Sequence, residues 1–68
     1  MGPLKLFEFK RLISSYKCHI AKTAKEWEVR DSIDGKRISG FGTVSGRHAK
    51  AVYVKQFLKE IKSKRGIA

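Results

Sequence analysis

Gly40-Phe41-Gly42-Thr43-Val44-Ser45-Gly46-Arg47-His48-Ala49-Lys50 lies between a segment that alternates like a strand and a run with helical periodicity. Its glycines let a strand end come close to other backbone, Ser45 carries the hydroxyl of a helix cap, and Arg47, His48 and Lys50 follow at once. A helix that starts this way joins unpaired N–H groups to positive charge, and phosphate is the natural anion for such a place.

Downstream, Ala49, Tyr53, Val54, Phe57, Leu58 and Ile61 share about half of a helical wheel while Lys55, Lys59 and Lys62 share the other side, which predicts a helix from Arg47 to near Ile61. Upstream, Asp34-Gly35 reads as a two-residue type I′ hairpin turn between a strand running from Trp27 to Ile33 and another beginning at Lys36. In that register Ile38 faces Asp31 and Gly40 faces Val29. Gly40 and Gly42 then share the face of Trp27 and make room for it in the core, whereas Phe41 points to the uncovered face as a candidate protein interface. Lys17 to Ala24 sets Cys18 and Ile20 against His19 and Thr23, a further short strand. Leu6, Phe9, Ile13 and Tyr16, flanked by Leu12, form the stripe of a first helix that starts just after Pro3. The expected fold class is α+β in the order α-β-β-β-α, a three-stranded antiparallel sheet with two helices packed on one face. One domain spans residues 1–68, with its core over about 4–62 and a solvated basic tail over 63–68 that carries Lys64 and Arg65.

Sixteen Lys and Arg against six Asp and Glu give a formal charge of +10, so a polyanion is the expected partner. No apolar run approaches the roughly 20 residues that span a bilayer, and Met-Gly-Pro-Leu-Lys has no signal-peptide h-region, so an intracellular soluble domain without a membrane partner is expected. Cys18 is the sole cysteine, which excludes an intrachain disulfide and a cysteine-based zinc site, and neither metal nor cofactor is expected. There is no Ser-His-Asp set, no carboxylate pair with a chemical rationale and no phosphate loop followed by Lys-Ser or Lys-Thr, so the chain does not read as an enzyme.

The junction resembles that of the double-stranded RNA-binding domain, whose pattern there is Gly-x-Gly-x-Ser-Lys-Lys-x-Ala-Lys. Gly40 and Gly42 match the glycines, Ser45 the serine after one extra residue, Arg47 the second basic position, Ala49 the alanine and Lys50 the last lysine. Leu6-Phe7-Glu8 is similar to the Leu-x-Glu of that family's first helix, and Trp27-x-Val29 to its aromatic-x-Val strand. Gly46 stands where the first lysine belongs, Tyr53 and Phe57 replace small residues, and Thr23 to Glu26 is too short for the family's histidine-bearing minor-groove loop. The resemblance implies largely sequence-independent binding of double-stranded RNA through phosphate contacts from the start of the second helix. Arg47 and Lys50 would be the principal contacts, with Ser45, Gly46 and His48 beside them, Glu8 near a ribose hydroxyl, and Lys36 and Arg37 at the far end of the third strand.

Three other readings compete. The run Arg47-His-Ala-Lys-Ala-Val-Tyr-Val-Lys-Gln-Phe-Leu-Lys resembles the last helix of HicA-type mRNA-interferase toxins. Their catalytic histidine would fall near Lys25-Glu26-Trp27, where there is none, which implies a non-catalytic RNA-binding relative. A domain of the same fold can instead bind a protein partner or dimerise through the open sheet face at Phe41. The Trp27 strand, the Gly35-Lys36-Arg37 hairpin and Gly40-Phe41-x-Thr43 also resemble the duplex-DNA-binding arm of some integrases.

Overall fold

In a computed structural model, which describes residues 2–67, the first apolar stripe lies on helix α1, Leu6–Ser15, with Phe9 and Ile13 fully buried and Leu12 and Tyr16 packed against them. The second stripe lies on helix α2, Ala51–Arg65, which buries Val54, Phe57 and Ile61. Between the helices run β2, Cys18–Lys22, β3, Trp27–Asp31, and β4, Arg37–Gly40, joined as an antiparallel sheet in the order β2-β3-β4. Cys18, Val29 and Ile38 from this sheet meet the buried residues of both helices in one core. Burial, then the nearby Asp31 carboxylate, pushes the Cys18 thiol up.

A second small sheet accompanies the first. The strands β1, Leu4–Lys5, β5, Thr43–Val44, and β6, His48–Ala49, pair antiparallel in the order β1-β6-β5. The protein is therefore α+β with two helices and two three-stranded antiparallel sheets, where a single sheet was expected. The additional strands come from backbone groups the sequence pattern assigns to a helix start. Arg47 to Lys50 do not begin α2: Leu6 N–H donates to Arg47 O (2.9 Å), Lys50 N–H donates to Gly42 O (3.0 Å), and the helix starts only at Ala51.

The type I′ geometry expected at Asp34-Gly35 occurs at Ser45-Gly46 instead. Both residues have positive φ, 53° and 67°, and Arg47 N–H closes the turn on Val44 O at 3.2 Å. At the other site only Gly35 is left-handed (φ 74°), and the loop takes four residues, because Asp31 N–H bonds Lys36 O and Gly35 N–H bonds Asp31 O, each at 2.8 Å. The register shifts accordingly. Val29 lies opposite Ser39 and Glu28 opposite Gly40, with an irregularity next to Arg30 that leaves Ile38 as the extra residue. Ile33, assigned to the strand by its alternation, is exposed in the loop.

Two aromatic residues differ from expectation. Trp27, expected in the core, is 48% exposed, and the Lys22 ammonium sits 5.6 Å from its ring centroid. Phe41, expected on the uncovered face, is half-buried and stacks on Phe9 with ring centroids 5.5 Å apart. Phe57 meets Phe9 edge-on at 6.0 Å, and Tyr16 meets Phe57 at 5.8 Å, so four rings are linked beside the sheet. Gly40 and Gly42 do accommodate an aromatic ring, but it is Tyr53 of α2. A Cβ at Gly42 would stand 2.8 Å from Tyr53 Cε2, and one at Gly40 would stand 3.0 Å from Tyr53 Cε1.

The expected basic tail is part of the fold. α2 runs through Lys64 and Arg65 and closes at Gly66, which is left-handed (φ 69°), with Ile67 N–H donating to Lys62 O at 2.8 Å. Asp31, 1% exposed, receives Arg65 Nη1 at 2.6 Å, Arg65 Nη2 at 3.0 Å, Ile33 N–H at 2.9 Å and Lys64 Nζ at 2.9 Å. Arg65 also donates to Tyr16 O at 2.8 Å, and Lys64 to Asp34 at 2.7 Å. The end of α2, the β3–β4 loop and the end of α1 are thereby locked together.

The Arg65 guanidinium, then the Ile33 N–H and Lys64, holds the Asp31 carboxyl well below the usual carboxylate range. The unfolded carboxyl has a pKa near ~3.9. The stabilisation is thus complete above about pH 4 and is lost as the pH falls below that towards the folded value. Circular dichroism followed from neutral pH into acid should show wild-type stability dropping through this window. Asp31→Asn should be less stable at pH 7 and lose less on acidification; an unchanged acid response in the variant would contradict the assignment. Gly42→Ala should destabilise by roughly 1–3 kcal/mol by forcing Tyr53 from its seat. In a Tyr53→Ala background the same substitution should cost almost nothing, as measured by urea denaturation.

Candidate nucleic-acid interface

The β5–β6 hairpin carries Arg47 at its turn and His48 on its second strand, and β1 pairs along that strand with Leu4 opposite Ala49 and Lys5 opposite His48. The chain then enters α1 directly, so the Leu6 N–H, one of the groups a helix start leaves without an internal partner, is satisfied by Arg47 O. These contacts bring Lys5, Phe7, Lys10, Arg47 and His48 around one open hollow of about 550 Å³ beside the first turn of α1. Lys5, Lys10 and Arg47 are exposed, His48 is half-buried, and Phe7 presents an exposed ring at the rim. The positive end of the α1 dipole adds to the three cations, and the exposed Glu8 in the same turn opposes it. Basic residues and a helix start do meet, as the sequence suggests, but the helix is α1.

Glu26, Glu28, Asp31 and Asp34 are four of the six acidic residues, and their ion pairs are with Arg30, Arg37, Lys64 and Arg65. Among the described residues, Lys5, Lys10 and Arg47 have no acidic partner within ion-pair distance, and the same holds for the other Lys and Arg outside those pairs. The outer face of the larger sheet is internally neutralised: Glu28 is buried beneath Arg30 and Arg37, with Arg37 Nε 3.6 Å from it and Arg37 Nη2 3.6 Å from Glu26.

Of the residues the sequence assigns to the site, Arg47 and His48 line the hollow. Ser45 and Gly46 form the adjoining turn and supply its backbone shape, and Ser45 does not cap α2. Glu8 is exposed in the first turn of α1. Lys50 stands exposed before α2, its N–H held by Gly42 O, and does not line the hollow with Arg47. Arg37 is engaged by the two glutamates. Lys36 belongs to the β3–β4 loop, which is fastened to the far end of α2, on the order of 20 Å of helix away from Lys50. Phe41 is half-buried, with Phe9 stacked on its ring.

Lys5, Phe7 and Lys10 escaped the sequence reading. Phe7 lies off the buried stripe, on the polar side of α1, and an exposed aromatic between two lysines was the one local signal available. Their proximity to Arg47 depends on the pairing of β1 with β6, and two-residue strands leave no periodic trace. No helix of the described residues is long and apolar enough to cross a membrane. Comparison with family models, with curated proteins and with solved structures finds no match to this chain.

Proposed function

We propose that this protein binds double-stranded RNA, largely without regard to sequence, through phosphate contacts from Lys5, Lys10 and Arg47, with His48 beside them. The observation that carries this reading is the convergence of three exposed cations, Lys5, Lys10 and Arg47, around one hollow beside the first turn of α1. The run α1-β2-β3-β4, followed by α2 after the β5–β6 hairpin, with both helices sharing one core, supports it as close to the arrangement on which the resemblance to the double-stranded RNA-binding domain rests. The deep, narrow major groove of A-form RNA excludes side chains, so a protein that lacks a minor-groove loop holds such a duplex chiefly by its phosphates. The β2–β3 connection is indeed short, closed by Thr23, whose Oγ1 accepts the Lys25 and Glu26 N–H groups.

The competing readings lose support at particular residues. The duplex-DNA reading would need Arg37 of the hairpin as a phosphate contact, and its guanidinium is engaged by Glu26 and Glu28; an interface at Phe41 would have only the part of the ring that Phe9 leaves open. The HicA-like reading, an RNA-binding relative without cleavage, shares the present proposal's ligand class.

Binding dominated by phosphates falls steeply with salt, with a slope in log K against log salt of about one unit per contact. Affinity for an RNA duplex, micromolar in class, should therefore drop markedly between about 50 and 200 mM salt. The triple variant Lys5→Ala, Lys10→Ala, Arg47→Ala should reduce the slope by roughly two to three units. Lys36→Ala, at the distant loop, should leave it unchanged. Fluorescence anisotropy measures both; equal effects of the two variants, or preference for duplex DNA of the same length, would overturn the proposal.

A further inference from the structure

The exposed Trp27 has no role in the phosphate site, yet it lines a second hollow of about 550 Å³ that adjoins it. Ile13, Ile20 and Phe41 make an apolar floor, with Trp27 as a wall. The Lys22 ammonium stands over the indole, and Lys10 lies on the rim. Leu6 and Lys10 line both hollows, so the surface is continuous from Arg47 to Trp27. An indole half open to solvent, set above apolar side chains and flanked by cations, offers a stacking surface to a base and charge to its neighbouring phosphates. The volume falls within the range of pockets that take small planar ligands.

We propose that this hollow receives one unpaired RNA base, stacked on Trp27, from an overhang or bulge next to the duplex held at Lys5, Lys10 and Arg47. The inference rests on the duplex-binding reading above. Lys10 is the shared element: a strand leaving the duplex there reaches Trp27 without passing an acidic group that lines either hollow. The lysines at the rim favour a nucleotide over an apolar protein side chain, for which they would have to be desolvated without compensation.

Trp27 is the sole tryptophan, so its fluorescence reports on this hollow alone. The full chain would be titrated with a blunt RNA duplex of about 16 base pairs, with the same duplex carrying a short 3′ oligouridine overhang, and with oligouridine alone. Quenching of Trp27 by the overhang duplex and not by the blunt one is expected, with affinity tighter on the order of tenfold. Trp27→Ala should abolish that advantage and retain the affinity for the blunt duplex, while the quenching of wild-type protein needs no variant to be read. Equal affinity for both duplexes without quenching overturns the base-binding hollow and leaves the duplex reading standing. Equal quenching by the blunt duplex overturns the requirement for an unpaired base. Quenching by oligouridine with no affinity for either duplex supports the hollow and overturns the duplex reading. A Trp27 signal that changes with protein concentration alone assigns the hollow to a second copy of the chain and overturns the inference.

Discussion

The pairing of β1 with β6 is the constraint on which the basic surface depends. Two residues, Leu4 and Lys5, lie against Ala49 and His48, and the next N–H, that of Leu6, is held by Arg47 O. The pairing is short, but it joins positions more than forty residues apart and sets the start of α1 against a hairpin turn. Without it Arg47 would project from an isolated loop, and Lys5 and Lys10 would decorate a helix elsewhere. With it, three cations and a helix dipole act at one place, where their fields add over distances shorter than the screening length of physiological salt.

The distribution of the acidic residues gives the surface its polarity. A net charge of +10 in so short a chain is self-repelling, and the fold uses its few carboxylates where they hold elements together. Asp31 and Asp34 bind Lys64 and Arg65 at one end of the molecule, and Glu26 and Glu28 lie under or beside Arg30 and Arg37 on the sheet. Asp31 shows why the pairing is structural: its carboxylate is almost fully buried and has four donors, so the cost of removing its charge from water is met by fixed hydrogen bonds. The other lysines and arginines, Lys5, Lys10 and Arg47 among them, have no such pairing.

The aromatic residues divide in a parallel way. Phe41, Phe9, Phe57 and Tyr16 form a connected set of rings through the core, each meeting the next at a stacked or edge-on distance. Tyr53 seals the strand end over Gly40 and Gly42. Phe7 and Trp27 are left at the surface, one beside each hollow. Both lie next to lysines, Phe7 beside Lys5 and Lys10 and Trp27 beside Lys22.

By itself the sequence determined the two helices, three strands of the larger sheet, the inward side of Cys18, Ile20 and Val29, and the excess of positive charge. Each of these follows from local periodicity or composition. It also marked Arg47 and His48 as members of a basic junction, because glycine and cations stood together there. Only the tertiary structure decided which helix that junction serves, that Ser45-Gly46 takes the hairpin turn in place of Asp34-Gly35, and that Phe41 stacks on the core while Trp27 stays half-exposed at its strand end. The physical reason is the same in each case. A positive-φ turn can form at either site, and one extra residue in a strand reverses the side to which every later side chain points. Competition among distant partners for the same backbone groups and the same core volume settles the choice, and no window of neighbouring residues contains that competition.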